Sequence, residues 1–281
     1  MKHFLLALLL WLPWPLQALV PLEPLQIAEQ FVAPTGWPEM KEYLCCEAAG
    51  QAKRETLGQQ IPPQLRRTCQ LVQQGLSTAV VAVELRDSVE RRDFYLHFTK
   101  EAGAWKLLAI RNLAMTHLGP PMVELLAGMS PAEVADYDQK HPDASHAFTL
   151  GNLRLWTSAD ADIAGHFARN RTDFQKLLRL VQAGKYFAPT RSAGGASVAN
   201  GEKAANANPA VHTLLRKLFL AQVTRRETNC DSCLEFVIGG KVDSTVGLLY
   251  QPKAALLPPM DPEHFIVLKA LGEGWYLYKT A

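Results

Sequence analysis

Two hydrophobic periods alternate along this chain and mark out its elements. Between residues 79 and 110 the period is two, the signature of half-buried strands. Ala79, Val81, Val83 and Leu85 fall on one face, and Phe94, Leu96 and Phe98 oppose Tyr95, His97 and Thr99. Trp105, Leu107 and Ala109 then alternate with Leu108 and Ile110. The turn Glu101-Ala102-Gly103-Ala104 joins the last two runs, with Gly103 free to take positive φ. Three strands with short connections predict an antiparallel meander. Ahead of it, Met40–Ala49 and Pro63–Gln74 show helical spacing, the second with Leu65, Cys69 and Val72 on one stripe.

The period then lengthens. Ser130-Pro131-Ala132-Glu133 reads as a capping box with proline at the first helical position. A longer helix starts near Ser158, with Ile163, Phe167, Phe174, Leu178 and Val181 on one side and Gly184 at its C-cap. Residues 192–208, rich in Ala, Gly, Ser and Asn, predict a flexible loop. Val211, Leu214, Leu215, Leu218 and Leu220 supply the buried side of another helix. Period two returns at Leu234, Phe236 and Ile238, up to a turn expected at Gly239-Gly240. Further strands are expected over Val246–Tyr250, His264–Leu271 and Trp275–Tyr278.

These elements predict an α+β fold in two small domains, residues 37–116 and 158–281, joined by a helical linker over 117–157. An extended lead-in covers 19–36. Both halves end in a glycine turn, a tryptophan and an alternating strand, GAWKLLAI at 103–110 and GEGWYLYKT at 272–280. A duplication would produce that echo, and so would the common grammar of hairpins.

Composition narrows the partners. Hydrophobic residues make up 48% of the chain and charged ones 20%, a folded composition, while a formal net charge of +2 with no large Lys/Arg cluster argues against nucleic acid. Residues 1–18 have the layout of a secretory signal peptide: Lys2, an apolar core from Phe4 to Leu16, and Ala18 at the cut. After it, no apolar stretch reaches the roughly 20 residues of a membrane span. A soluble chain in the periplasm or outside the cell is therefore expected.

An oxidising compartment changes how the five cysteines read. Cys230 and Cys233 are spaced to bridge before the Leu234 strand, so a structural disulfide is expected there in preference to a redox or zinc centre. Cys45 and Cys46 are adjacent, and either one paired with Cys69 would staple two helices, leaving the other free. No second CxxC and no nearby histidine completes a zinc set around 230–233, so no metal or other cofactor is expected.

Catalytic motifs are scarce. GxSxG, HExxH, Walker and dinucleotide fingerprints are absent from the sequence. Asp136, Asp138, His141, Asp143 and His146 form the densest polar cluster and read as a solvated surface after a helix. Tyr95 and His97, with Trp105, would line a pocket if that side of the sheet were concave.

Helices followed by a meander, with a Gly-x-Trp-Lys turn and strand at 103–106, resemble the NTF2-like and cystatin-like α+β superfamily. The resemblance implies helices packed on curved antiparallel sheets and a secreted binding, assembly or immunity module without catalysis. It assigns no catalytic residue. The expected partner is another secreted protein or a small ligand. The alternatives are a small-molecule hydrolase or isomerase using Tyr95, His97 and Trp105, or a thiol–disulfide protein using Cys230 and Cys233.

Overall fold

The computed structural model describes residues 21–51, 56–88, 91–113, 119–187, 195–225, 228, 230, 232–241 and 244–281. The signal segment at 1–18 lies outside the described residues. The N-terminal half opens with α1 (Pro24–Val32), a 3-10 turn (Pro38–Tyr43), α2 (Cys46–Gln51) and α3 (Leu57–Gln60). Four strands follow: β1 (Arg66–Gln74), β2 (Thr78–Arg86), β3 (Arg91–Glu101) and β4 (Ala104–Arg111). They form an antiparallel sheet in sequence order. Ala102 and Gly103 take φ of 48° and 87° at the β3–β4 turn, as the glycine there predicts.

One expectation fails at β1. Residues 66–74 form a strand, not the second half of a helix over 63–74. Arg66 to Gln74 pair with Arg86 to Ala79 of β2. Leu65, Cys69 and Val72 do recur at helical spacing, but the intervening positions are half-buried or exposed throughout the strand. The pairing offered by β2 decides the conformation.

Helices α4 (Gly119–Ala127), α5 (Pro131–Lys140), α6 (His146–Trp156), α7 (Asp160–Arg169), α8 (Arg171–Ala183), α9 (Gly195–Ala207) and α10 (Pro209–Lys217) come next. The capping box at Ser130 forms as expected, with Ser130 and Glu133 bonding reciprocally. The long helix foreseen from Ser158 is two helices broken at Asn170. Within the stretch expected to be a loop, residues 195–207 are helical. Side chains of that helix tie it to the next strand: Asn206 bonds both the N–H and the C=O of Val223, each at 2.9 Å.

The last five strands are β5 (Gln222–Thr224), β6 (Leu234–Lys241), β7 (Ser244–Tyr250), β8 (Val267–Gly272) and β9 (Trp275–Lys279). Their antiparallel sheet has the order β5-β6-β7-β9-β8. Gly239 and Gly240 lie inside β6, beside a register shift, so they mark a bulge where a turn was expected.

The curved sheets implied by the superfamily resemblance are not found. Both sheets are open, and neither curls nor closes. Strong curvature needs bulges or glycine kinks at regular intervals. Here β2 and β3 pair from Thr78–Thr99 to Arg86–Arg91 without a shift, and the shifts in β1–β2, β3–β4, β6–β7 and β8–β9 are single. The two strand orders also differ, so the echo between the halves is confined to the final hairpin of each.

The two sheets share their packing. On one face of the first, Val81, Val83, Leu96, Phe98, Trp105 and Leu107 cluster with Ile27, Ala28 and Phe31 of α1. On its other face, Val80, Ala82 and Tyr95 join the cluster of α7, α8, α10 and the second sheet. Trp275, fully buried, sits at that cluster's centre with ring centroids of Phe167, Phe174, Phe236 and Tyr250 at 5.1–5.9 Å.

α3 docks on the end of α1 at Gly58, where an added Cβ would lie 2.0 Å from the Ala33 carbonyl oxygen. Gly58→Ala therefore forces backbone apart and is expected to cost about 1–3 kcal/mol in urea unfolding. Gly50→Ala, whose Cβ would meet nothing within 4 Å, is the control and should leave the midpoint unchanged or raise it.

Candidate functional site

Tyr95 and His97, foreseen as pocket residues, share one face of β3 and are 0% and 2% exposed. Trp105 is equally buried but belongs to the cluster on the opposite face, so it does not join them. The Tyr95 hydroxyl donates to Asp160 Oδ1 at 2.8 Å. The same oxygen takes an ion pair from Lys279 Nζ at 2.7 Å, and Lys269 Nζ lies 4.0 Å from Oδ2. Lys279 also stands over the Tyr95 ring, 5.4 Å from its centroid.

Asp160 is the first residue of α7, where negative charge is favoured by the helix dipole. The N-cap of that helix is Ala159, which has no side-chain acceptor. Asp93 of β3 supplies one, accepting the Asp160 N–H at 2.6 Å. Burial pushes the Asp160 carboxyl up, but Lys279 and the Tyr95 hydroxyl outweigh it and hold the pKa below the ordinary value. Burial and the neighbouring Asp160 charge push Asp93 up to about 6. Burial, with those two carboxylates, raises the Tyr95 phenol well above its usual value. His97 is lowered to about 4 by burial and the Arg111 guanidinium, so it is neutral at pH 7. The cluster is a cross-layer ion network that joins carboxylates of β3 and α7 to lysines of β8 and β9.

The polar group at 136–146 does not converge. Asp136 pairs with Lys140 at 2.7 Å, Asp138 accepts the His146 N–H at 2.6 Å, and the His146 ring bonds the Leu126 carbonyl.

The cysteines divide. Cys230 and Cys233 form a disulfide with Cα atoms 5.3 Å apart, as their spacing predicts. Cys45, Cys46 and Cys69 are free thiols. Cys69 stands on β1 opposite Val83, so the staple expected from Cys45 or Cys46 between two helices has no second helix to reach. Burial and the adjacent Cys46 push the Cys45 thiol up to about 12, and burial pushes Cys69 to about 12.

A cavity of about 440 Å³ opens beside the disulfide turn, a volume typical of small-ligand sites. Its floor is Val181, Phe187, Leu234, Tyr250 and Leu256, and its polar groups include Ser232 and Gln251. Gln251 Nε2 donates to Ser232 Oγ at 2.7 Å and lies 3.9 Å from Cys233 Sγ, which fixes this wall to the disulfide. Lys185, Arg225 and Lys253 stand around it, and among the described residues no carboxylate lines it. Arg225 is held by the Phe187 carbonyl at 2.6 Å and lies over the Phe187 ring. Lys185 follows the C-cap of α8 and takes φ of 52°, a conformation that costs a non-glycine residue roughly 1–2 kcal/mol.

No family model, curated protein or solved structure matches this chain.

The α+β class stands on the structure alone, and placement in the NTF2-like or cystatin-like superfamily finds no support. Among the described residues no helix is long and apolar enough to cross a membrane. The cavity was not foreseen from sequence, since its three cations come from the end of α8, the end of β5 and the loop after β7. The one local signal was a lysine directly after a glycine C-cap.

The raised pKa of Asp93 gives a testable sign. A carboxyl whose folded pKa exceeds its unfolded value, about 3.9, binds its proton more tightly in the native state. Its stabilising contribution is complete below the unfolded pKa and is lost as pH rises through about 6. Asp93→Asn keeps an acceptor for the Asp160 N–H without the charge. Urea midpoints should therefore show the variant gaining on the parent chain as pH goes from 4 to 7. A flat or declining difference would contradict the assignment.

Proposed function

We propose that this chain is an exported binding protein for a small organic anion with an apolar body, held in the cavity between α8 and the disulfide turn. The observation that carries the reading is the cavity's composition: among the described residues, an apolar lining ringed by Lys185, Arg225 and Lys253 with no carboxylate. An anion there meets charge-assisted hydrogen bonds at the rim, and its apolar part leaves water for the floor. Lys185 is held in the left-handed region at the rim, the kind of local strain that accumulates at ligand sites. The Cys230–Cys233 bridge supports export, because such bonds persist in oxidising compartments, and it stiffens one wall of the site. Among the expected partners, this favours the small ligand over another protein.

Isothermal titration of the mature chain with decanoate and with decanol tests the charge. The carboxylate is expected to bind at least tenfold more tightly than the alcohol. The Lys185→Gln, Lys253→Gln double variant should lose about tenfold in decanoate affinity, equivalent to ~1.4 kcal/mol, and keep its affinity for decanol. Equal affinity for both ligands, or a decanoate affinity indifferent to the two lysines, would overturn the reading.

A further inference from the structure

Away from that cavity, the adjacent thiols of Cys45 and Cys46 meet a carboxylate. Their two Sγ atoms and an oxygen of Glu101 all lie within 4.8 Å of one another, with Cys46 Sγ 3.9 Å from Glu101 Oε1. Cys45 is buried, whereas Cys46 and Glu101 are exposed.

The backbone builds this convergence. Leu44 bridges Leu107 of β4, and the Cys45 N–H donates to the Leu107 carbonyl at 3.0 Å. Cys46, the first residue of α2, then takes φ of 52°, in the left-handed region. On a regular helix or strand, neighbouring side chains diverge. This reversal lets both sulfurs turn to the same side. Glu101 arrives at the end of β3, paired with Ala104 across the tight turn.

Adjacency also disfavours a bridge between the two thiols. Consecutive Cα atoms across a trans peptide are about 3.8 Å apart, short of the ~4.4–6.8 Å that disulfides span. Cys45 and Cys46 stand as free thiols in a chain whose Cys230 and Cys233 are bridged.

We propose that Cys45, Cys46 and Glu101 form a binding site for one thiophilic divalent cation of the zinc class. Two sulfurs and one carboxylate oxygen supply three positions of a tetrahedron, and the exposed side leaves the fourth to water. Zn–S bonds of about 2.3 Å and Zn–O bonds of about 2.1 Å place ligand atoms roughly 3.5–3.8 Å apart, within a small closure of the observed cluster. On binding, the cation displaces both thiol protons to solvent and takes the carboxylate of Glu101 as its third ligand. Two metal–sulfur bonds and one metal–oxygen bond form, and no electrons are transferred.

The test is titration of the mature chain, purified without metal, with Cd(II) alone, read by the thiolate-to-metal charge-transfer absorbance. One equivalent is expected to saturate the band. Cys45→Ser and Cys46→Ser should each abolish saturation at one equivalent, and Glu101→Gln should weaken binding roughly tenfold. Cys69→Ser should titrate like the parent, and so should the Lys185→Gln, Lys253→Gln variant. Near-ultraviolet circular dichroism establishes that each variant is folded. No band in the parent, a band that survives loss of both Cys45 and Cys46, or an intact mass showing those two residues oxidised together would overturn the assignment.

Discussion

The buried carboxylate of Asp160 is the constraint on which the arrangement of layers depends. It is 1% exposed, and a charge so placed costs several kcal/mol unless opposite charge and hydrogen bonds surround it. Its partners come from both sheets: Tyr95 on β3, Lys279 on β9 and Lys269 on β8, while Asp93 of β3 completes the start of its helix. Apolar packing between the sheets would tolerate small slides. This network does not, because displacing either sheet leaves Asp160 or Lys279 charged, buried and alone. Its main effect is thus to select one relative placement, with little net gain in stability. Arg111 acts the same way nearer the surface, pairing with both oxygens of Glu47 at 2.6 and 2.7 Å while its Nε donates to the Pro262 carbonyl.

That constraint explains what became of Tyr95 and His97. The alternation along β3 did place them on one face, away from Phe94, Leu96 and Phe98. What it could not reveal is that this face is covered by the second sheet and by α7, 65 residues further along for the Tyr95–Asp160 bond. Covered in this way, Tyr95 is a donor committed to a carboxylate, and His97 is a neutral imidazole inside the packing. A cavity with an apolar lining lies instead at the other end of α8, beside the disulfide turn.

Legibility followed locality. The β2, β3 and β4 strands, the Ser130 capping box and the Cys230–Cys233 bridge were readable because each rests on residues within one turn or one hairpin. β1 was not, since its Leu65, Cys69 and Val72 satisfy a helical stripe and only the β2 partner breaks the tie. The 195–207 helix was hidden for a related reason. Its Ala, Gly and Asn composition has weak propensity, and its anchors are tertiary: Asn206 on Val223, and Glu202 accepting from Thr224 Oγ1 at 2.5 Å. The cavity was least legible of all, because Lys185, Arg225 and Lys253 converge only after three segments have folded.

The cysteines show that local backbone geometry sets which thiols can bridge. Cys230 and Cys233 are separated by two residues, enough for a turn to bring their Cα atoms to 5.3 Å, inside the range a disulfide spans. Cys45 and Cys46 have no residue between them, and a trans peptide keeps them too close for an unstrained bridge. Cys69, on an edge strand, has no cysteine opposite it, since its cross-strand neighbour is Val83. Three separate backbone geometries thus give three outcomes to one residue type. The pair for which a bridge would be strained is also the pair brought beside a carboxylate, so the geometry that disfavours a disulfide is the one that leaves two sulfurs free to share a cation.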